Sequence, residues 1–285
     1  MGTLNIVLGA IDNGLIWGFL ALGVYITFRL LDIADLTVDG SFATGGAVCA
    51  MMVTKGYNPL VAILIAIIAG GIAGFITGFL HTKCKIPAIL AGILTQLSLY
   101  SINLRIMNSR ANVPLTGYNT LFQPLAVKYG ISRYYVTLVI ALCFAAIAIA
   151  ILYWFFNTEL GSAIRATGNS EQMAKSLGIN TDNMKIIGLV ISNALVGLSG
   201  ALYALYGAAT DVRIGTGAIV IALASIVIGE VVMNFKKGGF AVKLVAVVVG
   251  SIIYRLIVAI VLQLGFNTDD LKLLTALLVG IALAM

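Results

Sequence analysis

The chain has 285 residues, of which 61% are hydrophobic and 10% charged, with a formal net charge of +6. A soluble domain carries about 25% charged residues, so this composition excludes an ordinary globular protein and indicates an integral membrane protein. The 17 Lys and Arg residues are scattered among the connections. This scatter argues against nucleic-acid binding and makes the basic residues a guide to membrane orientation.

Nine apolar segments follow one another, most of them near the twenty residues that a helix needs to cross a membrane. The sequence therefore predicts an all-α, polytopic transmembrane helical bundle that forms one domain over residues 1–285. The predicted segments are Ile6–Phe28, Ile33–Val53, Pro59–Leu80, Ile86–Met107, Tyr134–Phe156, Ile186–Ala209, Gly217–Phe235, Ala241–Leu264 and Leu271–Met285. If the nine segments alternate, nine Lys and Arg residues lie on one side and seven on the other. This bias predicts an external N-terminus and a cytoplasmic C-terminus.

Two patterns concern the packing of these segments. The glycines of "IIAGGIAGFITG" (Ile67–Gly78) predict close approach of helix backbones. The stretches "IDNGLIWGFLALG" and "ISNALVGLSGALY" resemble each other, as do "DLTVDGS" (Asp35–Ser41) and "DVRIGTG" (Asp211–Gly217). The paired stretches start from opposite faces, which suggests an inverted internal repeat of the kind found in many transporters. Chance resemblance between apolar helices is the alternative.

A polar connection of about residues 157–185 interrupts the apolar segments and contains "GSAIRATGNSEQMAKSLGIN". Asn169 and Gln172 form a predicted capping box, and Gly178 fits the left-handed residue that ends a helix. These signals predict a short helix over Ser170–Leu177 on the cytoplasmic side.

The predicted helix is amphipathic. Met173, Ala174 and Leu177 form an apolar face, while Glu171 and Lys175 are spaced to pair. Because two turns are not stable alone in water, the helix is expected to dock into a partner. A membrane-surface helix or a plain connector are the alternatives.

Three stretches resemble a known family. "GSAIRATGNSEQMAKSLGINTDNMKIIGLVISNALVGLSGAL" is similar to the cytoplasmic loop and following span of permease subunits of bacterial ABC importers, in the group of the ribose and branched-chain amino acid permeases. "LLDIADLTVDGSFATGGAV" and "GTGAIVIALASIVIGE" resemble further segments of that family. "TVDGSF" resembles the subgroup that accompanies lipoproteins binding amino acids, aromatic ones among them. Asp39 and Glu230 depart from the sugar permeases, which argues against a sugar as the solute.

The resemblance implies a transport subunit of the bacterial plasma membrane that is not an enzyme. Its implied partners are an ABC ATPase subunit, an extracytoplasmic solute-binding lipoprotein, membrane lipid and a second permease, with a homodimer expected. No GxxxxGK[ST] motif is present, so ATP and Mg are expected on the ATPase and no cofactor on this chain. The residues implied to couple to the ATPase are Arg165, Thr167, Gly168, Asn169, Glu171, Met173, Ala174, Lys175, Leu177 and Gly178.

Polar residues inside apolar segments are candidates for the transport pathway or its gate, because burying them in lipid is costly. The candidates are Asp35, Thr37, Asp39, Ser41, Thr44, Asn13, Gln96 and Asn193. Helix capping, pairing of Asp35 and Asp39 with Arg29, and bonds between helices are the structural alternatives. Arg255 also lies within an apolar segment, where a carboxylate, backbone carbonyls or water must pair with it; Glu230 is one candidate if the fold brings the two together, and the role of Arg255 stays open.

Two further readings complete the predictions. An ion-coupled secondary transporter that uses Asp35, Asp39 and Glu230 is the alternative function, although it would not need the docking helix. No metal site is expected, because His81 is the single histidine and the cysteines are not grouped. The long connection Asn108–Arg133 is expected to be extracellular.

Overall fold

The computed structural model describes residues 2–118, 120–122, 132–233 and 239–265, together with residues 273, 275, 276 and 280. Within these ranges the chain is helical apart from irregular connections and one short two-stranded ribbon. The helices are α1 (Gly2–Tyr25), α2 (Thr37–Thr54), α3 (Pro59–Thr82), α4 (Ala88–Ile106), α5 (Arg133–Phe156), α6 (Glu159–Asn169), α7 (Glu171–Ser176), α8 (Thr181–Gly207), α9 (Ala218–Met233) and α10 (Phe240–Gln263). A π-helical turn, Ile26–Leu30, extends α1, and the strands are β1 (Asn112–Pro114) and β2 (Ala209–Asp211).

Six apolar stretches are long enough to cross a membrane, which confirms a multi-pass helical protein. They are Asn5–Leu30, Pro59–Thr82, Ala88–Ile106, Arg133–Phe156, Thr181–Gly207 and Phe240–Gln263. The predicted second span is helical only from Thr37, because residues 31–36 are irregular, and α9 has only 16 residues. The predicted ninth span, Leu271–Met285, lies largely outside the described residues, as do Lys236 and Lys237.

Helix α8 packs against α1, α2 and α3 at the centre of the bundle. Gly70 and Gly74 of α3 lie directly against the backbone carbonyls of Asn193 and Leu189, so that a Cβ atom at either glycine would collide with α8. The close packing predicted for Ile67–Gly78 is therefore confirmed, and it rests on backbone approach rather than on large side chains.

Helices α1 and α8 run antiparallel. The Ser192 hydroxyl donates to the Gly23 carbonyl and the Ser199 hydroxyl to the Ile16 carbonyl, each at 2.7 Å. Each of these helices is followed by a non-helical stretch and then by a shorter helix, α2 or α9. The two helix–break–helix arrangements thus have opposite directions, and the inverted repeat itself stays a prediction.

The bundle has two ends, the α6–α7 face and the opposite face. The α6–α7 face carries α6, α7 and the connection between α3 and α4, where Lys85 lies 3.6 Å from Asp182 at the start of α8. The opposite face carries the ribbon, in which Val113 of β1 is the register partner of Thr210 of β2. Because the strands follow α4 and α8, the ribbon joins the ends of those two helices at that face.

Candidate functional site

The polar connection folds into two helices rather than one. Residues Glu159–Asn169 form α6, with Thr158 as the N-cap, so Asn169 ends a helix instead of beginning one. Ser170 caps α7, since its hydroxyl accepts the Met173 N–H at 3.3 Å. The predicted cap at Asn169 is wrong by one residue, because the chain turns at the extended backbone of Ser170.

The end of α7 follows the prediction. Gly178 has a φ of +81°, and its N–H donates to the Lys175 carbonyl at 3.0 Å. Met173 and Leu177 are 63% and 71% exposed, whereas Ala174 between them is buried against the protein. An exposed apolar pair spaced by one turn therefore lies at the surface of the α6–α7 face.

Glu171 fixes α7 to the bundle. Its carboxylate lies 2.8 Å from the Lys175 ammonium group, which confirms the predicted pair, and 2.8 Å from Lys185 of α8. Hydrogen bonds from these two lysines lower the pKa of Glu171 to about 2, so the carboxylate stays ionised at neutral pH. The two pairs connect the short helix to the first turn of the central helix α8.

Helix α6 contacts the end of α1. A Cβ atom at Gly168 would collide with the Leu30 carbonyl, so the two backbones touch there. The Arg165 guanidinium lies 5.5 Å from the centroid of the Phe240 ring at the start of α10. Among the predicted coupling residues, the structure exposes Asn169, Met173, Lys175, Leu177 and Gly178 and turns Thr167 and Ala174 inward.

Four of the predicted pathway residues form a buried hydrogen-bond network where the chain enters α2. Asp35 accepts the Thr37 N–H at 2.9 Å and the Asn193 side-chain amide at 2.7 Å, and Ser41 donates to Asn193 at 2.6 Å. The Thr37 hydroxyl lies 2.6 Å from that of Thr77. All of these side chains are buried, and the network connects α2, α3 and α8.

Asp39 has a different role, one turn further along α2. Its carboxylate accepts the N–H groups of Gly217 and Ile219 at 2.9 and 3.1 Å. A side chain of α2 thus satisfies the free N–H groups at the beginning of α9. The start of α9 consequently lies inside the bundle beside α2, and Asp39 connects the two shorter helices.

A cavity of about 130 Å³ lies beside this contact, between α2, α4 and residues 212–216. We call it the α2–α4 cavity. The lining residues used below are Asp39, Gln96, Leu97, Tyr100, Asn103, Val212, Arg213 and Thr216. Two predicted pathway residues, Asp39 and Gln96, are therefore brought together at one cavity, and Arg213 and Tyr100 join them.

Asn103 is the most unusual residue of the α2–α4 cavity. Its side chain is fully buried, and neither its oxygen nor its nitrogen has a hydrogen-bond partner among the described residues. An unpaired buried polar group costs about 1–3 kcal/mol. Because the amide is fully covered, a polar ligand in the cavity would pair with it only after a neighbouring side chain moves.

The remaining candidates lie elsewhere. Thr44 donates to the Gly40 carbonyl within α2, at 2.9 Å. Asn13 lines a separate cavity of about 340 Å³ together with Tyr134, Tyr206 and Arg255. Since Gly40 lines the α2–α4 cavity, Thr44 lies behind the wall of that cavity, whereas Asn13 belongs to the separate one.

Of the partners considered for Arg255, Glu230 is not the one it has. Glu230 forms an ion pair with Arg29 at the α6–α7 face, because α9 ends beside the π-helical turn. The same pair rules out the alternative in which Arg29 binds Asp35 or Asp39. Arg255 stacks on Trp17, with its guanidinium carbon 4.1 Å from the ring centroid.

The exposed faces of the helices differ in chemistry. Along the middle of α5, from residue 138 to residue 152, every exposed side chain is apolar or a cysteine. Helix α4, by contrast, exposes Ser98, Tyr100, Ser101 and Arg105. The exposed face of α4 also contains Leu94, Leu97 and Ile102, so it differs from the face of α5 by including polar side chains among apolar ones.

Over residues 6–284 the chain matches the family described as "Branched-chain amino acid transport system / permease component". The chain belongs to this family, and it is the permease subunit of an ABC importer rather than an enzyme, as the resemblance implied. Membership implies an ATPase subunit and a solute-binding protein as partners. Membership in this family also excludes the alternative function, an ion-coupled secondary transporter.

Three relatives show how widely the similarity extends. The chain is 41% identical over 273 residues to the tyrosine transport system permease protein of Clostridioides difficile (strain R20291), covering 96% of this chain and 88% of that protein. It is 33% identical to the uncharacterized protein RP368 of Rickettsia prowazekii (strain Madrid E), covering 99% and 98%. It is 27% identical to the ribose import permease protein RbsC of Escherichia coli (strain K12), covering 95% and 79%.

Among solved structures, PsaBC from Streptococcus pneumoniae in complex with Fab aligns with a TM-score of 0.41 and 14% identity, covering 87% of this chain and 88% of that chain. This likeness is too distant to carry an argument about the site.

Sequence reasoning missed Arg213 and Tyr100 as cavity residues. Arg213 lies in "DVRIGTG", which resembles the pathway segment "DLTVDGS". That resemblance was the available signal, because it placed Arg213 in a stretch comparable to the one that contains Asp39.

Proposed function

We propose that this chain forms the membrane pathway of an ABC importer for tyrosine or a chemically similar amino acid. The observation that carries the proposal is the 41% identity, over 96% of the chain, to a protein named for tyrosine transport. The α2–α4 cavity supports it, since charged, amide and aromatic side chains meet there. Such a mixture suits a small solute with both polar and apolar parts.

We propose that α7 is the element that the ATPase subunit contacts. Met173 and Leu177 offer an apolar pair that nothing in the described chain covers, and Glu171 holds α7 against α8. Gly168 places α6 against the end of α1. A displacement of α6 and α7 would therefore be passed to α8 and to residues 31–36, which lead to the Asp35 network.

We propose a homodimer in which α4 faces the second copy and the pathway between the copies. The support is the polar character of the exposed face of α4, with Ser98, Tyr100 and Ser101, and its continuity with the α2–α4 cavity. Leu97 and Tyr100 are exposed and also line the cavity. A pathway along α4 would therefore pass the opening of the α2–α4 cavity at these two residues.

We further propose that the α6–α7 face is cytoplasmic and that the N-terminus is outside, in the bacterial plasma membrane. Basic residues at that face include Arg29, Lys83 and Lys85, which lie in or beside short connections. Short basic connections are retained in the cytoplasm. The partner ATPase, with its ATP and Mg, would then bind at that face.

The coupling part of the proposal is tested by a double variant, Glu171→Arg with Leu177→Asp. This change reverses the anchoring charge and removes half of the apolar pair, so the ATPase should no longer co-purify and uptake should be lost. Lys83→Glu, a charge change on the same face outside α7, is the control and should retain the ATPase. Retention of the ATPase by the double variant, with both proteins eluting as folded species in gel filtration, would contradict the assignment.

The substrate part is tested with the complete wild-type complex and its binding protein in vesicles. Uptake of radiolabelled tyrosine should stop with vanadate and continue with an uncoupler, because ATP hydrolysis is the energy source. Absence of uptake for tyrosine, phenylalanine and tryptophan alike would refute an aromatic amino acid as the solute while leaving the coupling assignment intact.

A further inference from the structure

The α2–α4 cavity contains one unpaired cationic side chain. The Arg213 guanidinium is exposed and forms no ion pair or hydrogen bond with any residue that the structure describes. Its backbone is held in place, because the Arg213 N–H donates to the Asp211 carboxylate at 2.8 Å. The loop that carries the cation is thus fixed by its own turn, and the side chain is left free to bind a ligand.

The anionic side chain of the cavity is already engaged. Asp39 uses its two carboxylate oxygens for the N–H groups of Gly217 and Ile219 at the start of α9. It forms no ion pair with Arg213. The cavity therefore offers a guanidinium with no ion-pair partner among the described residues, which a ligand carboxylate complements.

The other walls divide into a polar and an apolar part. Asn103 contributes an amide with no partner among the described residues, and Gln96 contributes a second amide about two turns earlier on the same face of α4. Leu97, Tyr100 and Val212 contribute apolar and aromatic surface. The volume of about 130 Å³ is close to the roughly 150 Å³ of an apolar cavity that admits benzene, so an aromatic ring fits.

From this geometry we infer that the α2–α4 cavity is the solute-recognition site of the permease, with Arg213 binding the solute's carboxylate and Asn103 serving as a second polar contact. The ligand class is an α-amino acid with an apolar or aromatic side chain. This inference rests on the proposed function and adds the atoms that recognise the solute. It also gives the unpaired amide of Asn103 a partner in the bound state.

The inference is tested by saturation-transfer difference NMR on the purified importer complex in nanodiscs, without the binding protein. Tyrosine is the probe, and tyramine, which lacks the carboxylate, is its matched analogue. The wild-type complex should give a signal for tyrosine that is several times stronger than for tyramine. Arg213→Gln should reduce the tyrosine signal to the level of tyramine, and Arg213→Lys should restore part of the difference because it keeps the charge.

Arg110→Gln is the control for loss of a cation on the same face, since Arg110 does not line the cavity. This control should keep the wild-type preference for tyrosine. Uptake of radiolabelled tyrosine at saturating loaded binding protein should fall about tenfold or more in Arg213→Gln, as expected for loss of a charge-assisted bidentate contact. An unchanged tyrosine preference and unchanged uptake in Arg213→Gln would overturn the inference.

A third outcome identifies a different role for Arg213. If Arg213→Gln weakens capture of the loaded binding protein by the complex, Arg213 is a docking residue and the inference is overturned. Asn103→Leu provides an independent test, because removal of an unpaired amide should leave folding intact or improve it. Loss of tyrosine binding in a well-folded Asn103→Leu protein supports the site, and unchanged binding contradicts the role of Asn103.

Failure of this inference can be told apart from failure of the proposed function. If wild-type vesicles import tyrosine and the cavity variants do so equally well, the function stands and the solute is recognised elsewhere. If wild-type vesicles import no amino acid, the proposed function fails before the variants are compared.

Discussion

Helices α4 and α5 are equally exposed but differ in what they expose. In both, 28% of the most apolar stretch is buried, yet the mean hydropathy of α4 is less than half that of α5. Between its ends, α5 presents residues such as Val139 and Ile147 to the outside, whereas α4 presents Ser98 and Ser101. The comparison shows that exposure alone does not identify the surface that meets lipid.

The difference bears on function because the polar helix borders the α2–α4 cavity. A lipid-facing helix gains nothing from exposed hydroxyl groups, and Ser98 meets the need for a partner only by donating to the Leu94 carbonyl of its own helix. We therefore propose that α5 faces lipid and that α4 faces the second copy and the pathway. Three experiments separate these assignments, and the largest expected effect comes first.

An arginine placed at the middle of each helix should affect the two proteins very differently. Ile147→Arg in α5 faces lipid and should cost about 2.5–3.5 kcal/mol of membrane insertion. Leu97→Arg in α4 should insert with a much smaller penalty, because the charge enters a polar surface. The measurement is the yield of membrane-inserted, protease-resistant protein, and equal losses in the two variants would remove the distinction between the helices.

The rate of thiol labelling should show an effect of intermediate size, and the native Cys143 serves as the control. Cys143 is exposed on α5 and should react slowly with a water-soluble maleimide, because lipid excludes the reagent and disfavours the thiolate. Ser101→Cys on α4 should react faster. The experiment is done after Cys84→Ser, since Cys84 lies exposed in a connection. Equal labelling of positions 101 and 143 would argue against a water-accessible α4.

Cross-linking between copies should give the smallest effect, because a disulfide forms only when the two cysteines lie within a narrow range of distances. A Ser98→Cys protein should form a disulfide-linked dimer on mild oxidation if α4 lies near a two-fold axis, since the same residue of each copy then approaches its counterpart. Ala146→Cys on α5 should stay monomeric on a denaturing gel. A cross-link through position 146 in place of position 98 would move the interface to α5.

Several features could be predicted from local sequence because their physical cause is local. The stop at Gly178 and the pair of Glu171 and Lys175 depend on residues within two turns, and the structure has both. The glycine packing of Ile67–Gly78 also follows from the residues present. The cap lies at Ser170 because Asn169 is the last residue of α6, a helix that was not predicted and that contacts the end of α1.

The candidate site was predicted only in part, since its members come from three separated segments. Asp35 and Asp39 look alike in the sequence, but Asp35 is buried in a network with Asn193 while Asp39 caps α9 beside a cavity. Nothing within α2 distinguishes the two carboxylates. Their distant partners, Asn193 and Gly217, lie more than 150 residues away in the chain. The same long-range contact brings Arg213 to the cavity beside Asp39.

The sequence by itself determined that the protein is a multi-pass helical membrane protein with a capped polar element between two spans, and the resemblance of its motifs implied a permease. Hydropathy, helix capping and glycine spacing are properties of neighbouring residues, and they act before any tertiary contact forms. Only the tertiary structure decided which polar residues share a cavity, which carboxylate caps which helix, and which exposed face is polar. Those outcomes depend on how antiparallel helices pass each other, and a side chain's partner across a bundle is set by that crossing rather than by its own segment.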